Sequence, residues 1–355
     1  MFPPRSRVPE GDAAIRATDN DAALARLSAV RKGYLTDPFI TPFVPRAHLE
    51  PPRPPLINIG TYVRSEALDE LVNSWLALSQ QEVVKCQIVS LGAGSDTRFW
   101  RIATGHMKDT LARYIEIDFP EITTKKAMAI RKSKDLSSLL GKPEDVRLGN
   151  GGTALHSPVY NLLAADLRTP PLKSLAPLLT SGPEPLLAPH LPTLLIFECV
   201  LVYMTPEASG AILQWFTDYF SNNQPSRDGR GVLGSIVYEM FALGDQFGKV
   251  MVNNLKARNV TLPGAEPYPT FESLPTRFLR HGWDIARALT LKDIRRDYID
   301  PSELERISQL EMLDEIEELE LVLAHYAITW GVKLPPAAGE LKARWQDWGL
   351  MRKRA

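Results

Sequence analysis

The stretch "IVSLGAGSDTRFW", residues 88 to 100, is an apolar run that breaks into two glycines and a serine and then turns amphipathic. A strand that ends in Gly92-Ala93-Gly94 and restarts as a helix at Ser95 or Asp96 brings bare backbone and helix N–H groups up to a ligand. Such a turn seats a nucleotide. A dinucleotide fingerprint requires a third glycine where this chain has Thr97, and a phosphate-binding loop requires a Gly-Lys-Ser/Thr ending that is absent. What remains is a nucleoside without a pyrophosphate, or a structural turn, since glycine turns after strands serve either role about equally often.

Outward from the turn, short apolar runs alternate with helical segments, the pattern of an α/β protein with a doubly wound parallel sheet. Strands are expected at "CQIVSL" (86–91), "RYIEID" (113–118), "YNLLAAD" (160–166), "TLLIFECV" (193–200) and "VLGSIVYEM" (232–240). Crossover helices open with Pro120 in "DFPEITTKKAMAIRK" and with Thr205-Pro206 in "TPEASGAILQWFTDYF", proline being suited to a first helical position.

Three carboxylates fall at strand ends. Asp118 closes the strand after the glycine turn, 24 residues beyond Gly94, where an acidic residue can hydrogen-bond ribose hydroxyls. It can equally cap the helix that follows. Asp166 in "AADLR" can read an adenine edge or cap its strand. Glu198 lies inside "LLIFECVLV", and an ionised carboxylate there costs several kcal/mol unless it meets a cation or donors. A ligand amino group, a sulfonium or a structural salt bridge would each serve.

The 355 residues include 41 basic and 42 acidic side chains, a balance with no electrostatic footprint for nucleic acid or an anionic membrane. Cys86 and Cys199 have apolar neighbours and no metal-ligand spacing, so reduced thiols and a cytoplasmic or also nuclear location are expected, with no metal. No apolar stretch reaches the length of a bilayer span, and "MFPPRSRVPEGDAAIR" lacks the apolar core of a secretory signal. His48, His106, His156, His190, His281 and His325 are scattered. The acidic run "LDEIEELEL" keeps its apolar residues on one face, as a solvated helix does.

A single domain is expected over residues 21–335. Ahead of it, residues 1–20 are expected to form a disordered leader. Residues 21–84 form a helical cap: "DAALARLSAVRKGY" is one helix, "TPFVPRAHLEPPRPPL" (41–56) is an extended proline-rich strap, and "GTYVRSEALDELVNSWLAL" (60–78) is a second helix. The segments 141–158 and 221–231 read as loops. "YPTFESLPTRFLRHGW" reads as a helix ending near Gly282, and Asp300-Pro301 starts another that carries Ile307, Leu310, Leu313, Ile316 and Leu319 at intervals of three. "LVLAHYAITWGV" would be a closing strand. Residues 336–355 read as a basic peripheral tail. No internal repeat is evident.

The blocks "KGYLTDPFI", "IVSLGAGSDTRFWR", "IEIDFPEI", "AADLR", "PTLLIFECVLVYMTPE", "GDQFGKVMVNNL" and "SQLEMLDEIEELELVLAHYAITW" resemble, in this order, those of the leucine carboxyl methyltransferases. The resemblance covers roughly residues 20–333. It implies a seven-stranded, Rossmann-like sheet that binds S-adenosyl-L-methionine, with the N-terminal helices and the segments after the fifth strand as a lid. It also implies methylation of the C-terminal leucine carboxylate of the type-2A protein phosphatase catalytic subunit, regulating its holoenzyme. Cofactor contacts are implied for Arg64, Gly92, Asp118, Asp166, Leu167 and Glu198, with Gly94 beside them in the turn, and for Lys32. The strap and the loops at 141–158 and 221–231 are longer than the family pattern.

A terminal carboxylate is already ionised at neutral pH, so placement rather than a general base should drive the reaction. Arg64 offers a planar fork for a carboxylate, Tyr203 a hydroxyl and Lys32 a charge; these are the candidate catalytic residues. The competing readings are a methyltransferase acting on a modified tRNA base, a small-molecule O-methyltransferase, a non-catalytic phosphatase-binding scaffold and an NAD-linked dehydrogenase. The first would be expected to bring a C-terminal propeller of repeats, and no such repeat is read in this sequence. The scaffold has no need of a costly carboxylate in a strand, and the dehydrogenase lacks its third glycine.

Overall fold

A computed structural model describes residues 11–223, 231–314, 316–335 and 341–353. The strands are β1 (Cys86–Leu91), β2 (Leu111–Asp118), β3 (Arg147–Gly149), β4 (Ala154–His156), β5 (Tyr160–Ala164), β6 (Thr193–Glu198), β7 (Leu233–Met240), β8 (Ile285–Thr290) and β9 (Tyr326–Lys333). They form one nine-stranded sheet in the order β3-β4-β5-β2-β1-β6-β7-β9-β8. β5, β2, β1, β6 and β7 pair in parallel, while the pairs β7–β9 and β9–β8 on one side and β5–β4 and β4–β3 on the other are antiparallel.

The parallel strands are apolar on both faces because both are covered. Ile88, Tyr114, Leu162, Ile196 and Ile236 join one buried cluster. Their neighbours Val89, Ile115, Leu163, Phe197 and Val237 join another. The main helices are α1 (Gly11–Arg31), α2 (Pro55–Gln81), α3 (Arg98–Ala103), α4 (Pro120–Lys132), α5 (Pro206–Asn222), α6 (Gln246–Lys256), α7 (Leu291–Asp297), α8 (Pro301–Ser308) and α9 (Ile316–Ala324). The first cluster takes in α2 and α4, and the second takes in α5. Pro120 and Pro206 stand at first helical positions, and the Thr205 side chain accepts from the Ala208 N–H.

Among the described residues, nine strands replace the expected seven. β3 and β4 lie inside the supposed 141–158 loop, where Arg147 pairs with His156 and Leu148 with Leu155 as a short hairpin extends the edge. β8 lies in "DIARALT", whose half-exposed residues give no apolar run. The closing strand starts only at Tyr326, because residues 321–324 still belong to α9. Of the 221–231 segment, residues 221 and 222 end α5, and 224–230 lie outside the described residues.

The N-terminal expectation also changes. Residues 11–20 of the supposed leader are helical and 1–10 lie outside the described residues. The proline-rich strap is not fully extended: it holds two 3-10 turns, Thr41–Phe43 and Ala47–Leu49. Ile40, Val44 and Ala47 pack there against Ala23 and Leu27 of α1. α2 starts at Pro55, again a first-turn proline, rather than at Gly60.

Two long helices are broken. Pro275 splits the segment before Gly282 into turns at Phe271–Ser273 and Thr276–Leu279. The helix from Pro301 stops at Ser308 and helix resumes at Ile316; between them Glu311 accepts from Asn58 Nδ2 at 2.7 Å and Lys32 Nζ at 2.9 Å. The tail is not peripheral. Trp345 and Trp348 are buried, with ring centroids 4.4 and 4.9 Å from that of Trp75 in α2, and Trp348 Nε1 donates to the Leu71 carbonyl. Residues 336–340 and 354–355 lie outside the described residues.

Candidate functional site

The parallel strands run outward from β1 in two directions, to β2 and β5 on one side and to β6 and β7 on the other. The carboxyl ends of β1 and β6 therefore flank a topological switch point, the place where open α/β sheets bind ligands. Leu91 pairs with Phe197, so Gly92 and Glu198 leave the sheet side by side. Asp118 ends β2 opposite Ala164 of β5. A cavity of about 650 Å³ opens over these ends and is lined by Arg64, Gly92, Gly94, Asp118, Asp166, Leu167, Glu198 and Tyr203. Its size suits a small organic ligand, for which pockets run about 300–1,000 Å³.

The turn needs its glycines. Gly92 has φ of +68°, and a Cβ there would lie 2.4 Å from Val200 Cγ2; Gly94 has φ of +49°, and a Cβ would meet Asp19 Oδ1 at 2.6 Å. Its donors are already engaged. Gly94 N–H donates to Asp118 Oδ2 at 2.7 Å, and Ser95 N–H donates to Asp19 Oδ1 at 2.6 Å. The helix begins at Arg98 rather than at Ser95 or Asp96, so no helical N–H faces the cavity from those two positions.

Asp118 accepts a second N–H, from Phe119 at 2.7 Å. Burial pushes its carboxyl up to about 6; the Gly94 and Phe119 N–H groups pull the other way, and the nearby Asp19 charge adds to the rise. Asp166 folds back on its own loop, accepting from Arg168 N and Nε at 2.9 Å each and from Nη2 at 2.7 Å. Arg168 also grips Asp12 of α1. Leu167 beside them is buried.

Glu198 meets cations on both sides. Its Oε1 accepts from Arg64 Nε at 2.5 Å, and its Oε2 lies 3.5 Å from Arg98 Nη2. The Arg64 guanidinium also lies 4.6 Å over the Tyr238 ring, which stacks on Tyr326. Burial opposes the Arg64 charge, but Glu198 more than offsets this and holds the guanidinium protonated more firmly than usual. After Glu198 the chain reverses through Cys199, whose φ is +56°, an uncommon strain of the kind found near functional sites. Burial pushes the Cys199 thiol up to about 12, so it is no nucleophile. Burial likewise keeps the Tyr203 hydroxyl protonated well above its ordinary range.

Lys32 does not join the other candidates. It pairs with Glu311 and is not among the cavity residues. Three residues that do belong to the site were missed. Asp19 fell in the supposed leader. Arg98, although within the opening motif, gave no signal because two of its three partners, Asp69 and Glu198, are distant in sequence. Tyr326, in the cavity wall, read as a strand residue. Among the described residues no group of side chains forms a metal site, and no helix is long and apolar enough to cross a membrane.

The sequence profile described as Leucine carboxyl methyltransferase matches residues 14–217. Leucine carboxyl methyltransferase 1 of Cryptococcus neoformans is 43% identical over 363 aligned positions, covering 94% of this chain and 98% of that protein. The Bos taurus protein of the same name is 37% identical over 329 positions, covering 91% of this chain and 90% of its own. Among solved structures, an O-methyltransferase family protein from Burkholderia thailandensis aligns at a TM-score of 0.40 and 11% identity, covering 79% of this chain and 60% of that one. By the profile match and by these relatives across nearly their full lengths, the chain belongs to the leucine carboxyl methyltransferase family.

Proposed function

We propose that this chain methylates the α-carboxylate of a C-terminal leucine, that of the type-2A protein phosphatase catalytic subunit, and does so in the cytoplasm. The observation that carries the reading is the Arg64–Glu198 pair at the switch point, an anion and a cation fixed together beside the glycine turn. The free thiols Cys86 and Cys199 suit a reducing compartment.

The cofactor is S-adenosylmethionine, which when bound supplies a methyl group activated by a positively charged sulfur. The residues present fit it: Gly92 and Gly94 line the cavity with bare backbone, and carboxylates and an arginine stand where a nucleoside and an amino acid need partners. Asp118 would accept from ribose hydroxyls, Leu167 and Asp166 would flank the base, and Glu198 would hold the amino group. Arg64 uses Nε on Glu198, and its terminal nitrogens would serve a carboxylate. Tyr203, held protonated, would donate to the substrate carboxylate.

No residue need act as a base. A terminal carboxyl has a pKa of about 3.3–3.7, so at pH 7 only about one molecule in a few thousand is protonated. The chain's task is to position the carboxylate oxygen and to exclude water. The direct test uses labelled S-adenosylmethionine with phosphatase catalytic subunit, intact or lacking its final leucine. Base-labile label is expected on the intact form alone; equal labelling of both rejects the substrate.

Asp118 gives a pH dependence. Its ionised form is the stronger acceptor, so affinity is complete above its value of about 6 and declines as pH falls through it. The limiting slope is about tenfold per pH unit. S-adenosylhomocysteine titrated by calorimetry from pH 8 to 5 should show this step in wild type and not in Asp118→Asn. A flat wild-type profile contradicts the assignment.

A further inference from the structure

We infer that Arg98 is a positioning residue for the amino-acid end of the cofactor, holding Glu198 from the side opposite Arg64. The inference rests on the cofactor reading above. Arg98 opens α3 directly after the glycine turn, and its side chain is only 3% exposed.

Its guanidinium reaches three carboxylates on three different elements. Nε donates to Asp69 Oδ1 of α2 at 3.0 Å, Nη1 donates to Asp96 Oδ2 of the glycine turn at 2.5 Å, and Nη2 lies 3.5 Å from Glu198 Oε2 at the tip of β6. Each partner is itself anchored. Asp69 also binds Arg101, and the Asp96 carbonyl accepts from Lys126 Nζ at 2.9 Å. α2 carries both Asp69 and Arg64, so one side chain ties the turn, the strand tip and the helix bearing the second cation.

The consequence for Glu198 is geometric. With Oε1 on Arg64 and Oε2 facing Arg98, the carboxylate is restrained at both oxygens, and the plane it presents to a ligand ammonium is set. This needs a planar fork with nitrogens pointing in three directions. A lysine supplies the same charge from one compact nitrogen and cannot serve three divergent acceptors. Glu198 would then remain paired with Arg64 but be free to turn about that one contact.

The test compares two ligands by calorimetry. S-adenosylhomocysteine carries the amino-acid end, and 5′-methylthioadenosine shares the nucleoside and thioether but lacks it. Arg98→Lys is expected to weaken S-adenosylhomocysteine roughly tenfold while changing methylthioadenosine less than about twofold, the size of one charge-assisted contact. The KM for S-adenosylmethionine should rise with kcat nearly unchanged. A role confined to stability would weaken both ligands alike, so equal losses overturn the inference, as does unchanged S-adenosylhomocysteine affinity.

If Arg98→Lys does not fold, Asp69→Asn loosens the same fork from its more exposed end, and should show the same selectivity at about threefold. Equal effects on the two ligands, or none, again overturn it. Wild-type protein that does not prefer S-adenosylhomocysteine to methylthioadenosine would overturn the cofactor reading itself, a result visible before any variant is made.

Discussion

Glu198→Ala should weaken S-adenosylhomocysteine binding by about 3 kcal/mol, roughly a hundredfold, in a protein that stays folded. The loss has two parts. The ligand ammonium loses its anionic acceptor, and Arg64 and Arg98 are left as like charges facing the place where that ammonium must sit. Neither cation is stranded, because Arg98 keeps Asp69 and Asp96 and Arg64 keeps the Tyr238 face. Moreover, the Glu198 and Arg64 side chains are 21% and 24% exposed, so solvent screens much of what the broken pair would otherwise cost in stability. Glu198→Gln keeps the shape and one acceptor oxygen, and should lose about tenfold. Circular dichroism and thermal melts report the fold, and calorimetry reports the affinity. Alanine affinity within threefold of wild type would remove Glu198 from the site.

The strands that build this site were legible because both faces of the sheet are covered. Cys86–Leu91 and Leu233–Met240 are buried along their whole lengths, which leaves their apolar runs uninterrupted and their ends sharp. Sharp ends locate Gly92, Asp118 and Glu198 at one edge of the sheet, and the switch between β1 and β6 brings them together. What failed to show depends on partners far along the chain. Asp19 is 76 residues from the Ser95 N–H that it accepts from, and Trp348 is 277 from the Leu71 carbonyl that it donates to. Nothing local marks either residue.

Lys32 shows a second way in which sequence falls short. Its place in "RKGY" matched a family block, but side-chain reach is decided by competition. Glu311, already held by Asn58, captures the ammonium at 2.9 Å. Glu311 lies beyond Ser308, where the helix that the apolar spacing of Ile307 to Leu319 had predicted stops. The edge strands escaped notice for a different reason: β8 is only partly buried, and β3 and β4 have three residues each, too few to establish a period of two.

Gly92→Ala should cost cofactor affinity by about 2–5 kcal/mol, and a second substitution should return part of it. An alanine at φ of +68° pays about 1–2 kcal/mol for a left-handed backbone. Its Cβ would also stand 2.4 Å from Val200 Cγ2, an overlap that costs about 1–3 kcal/mol more or moves one of the two chain segments. Both segments belong to the site, since Gly92 follows β1 and Val200 follows Glu198 and the strained Cys199. Either displacement separates the glycine turn from the Arg64–Glu198 pair. Val200→Ala removes both γ-methyls and leaves its own Cβ, 3.4 Å from the new one, in ordinary contact. The double variant Gly92→Ala/Val200→Ala should therefore relieve the collision and keep the backbone cost, remaining roughly tenfold weaker than wild type. Calorimetry of the two single variants and the double completes the cycle. Additive losses, with no recovery in the double variant, would mean that Val200 does not back the turn and that the strand tips meet the ligand in another arrangement.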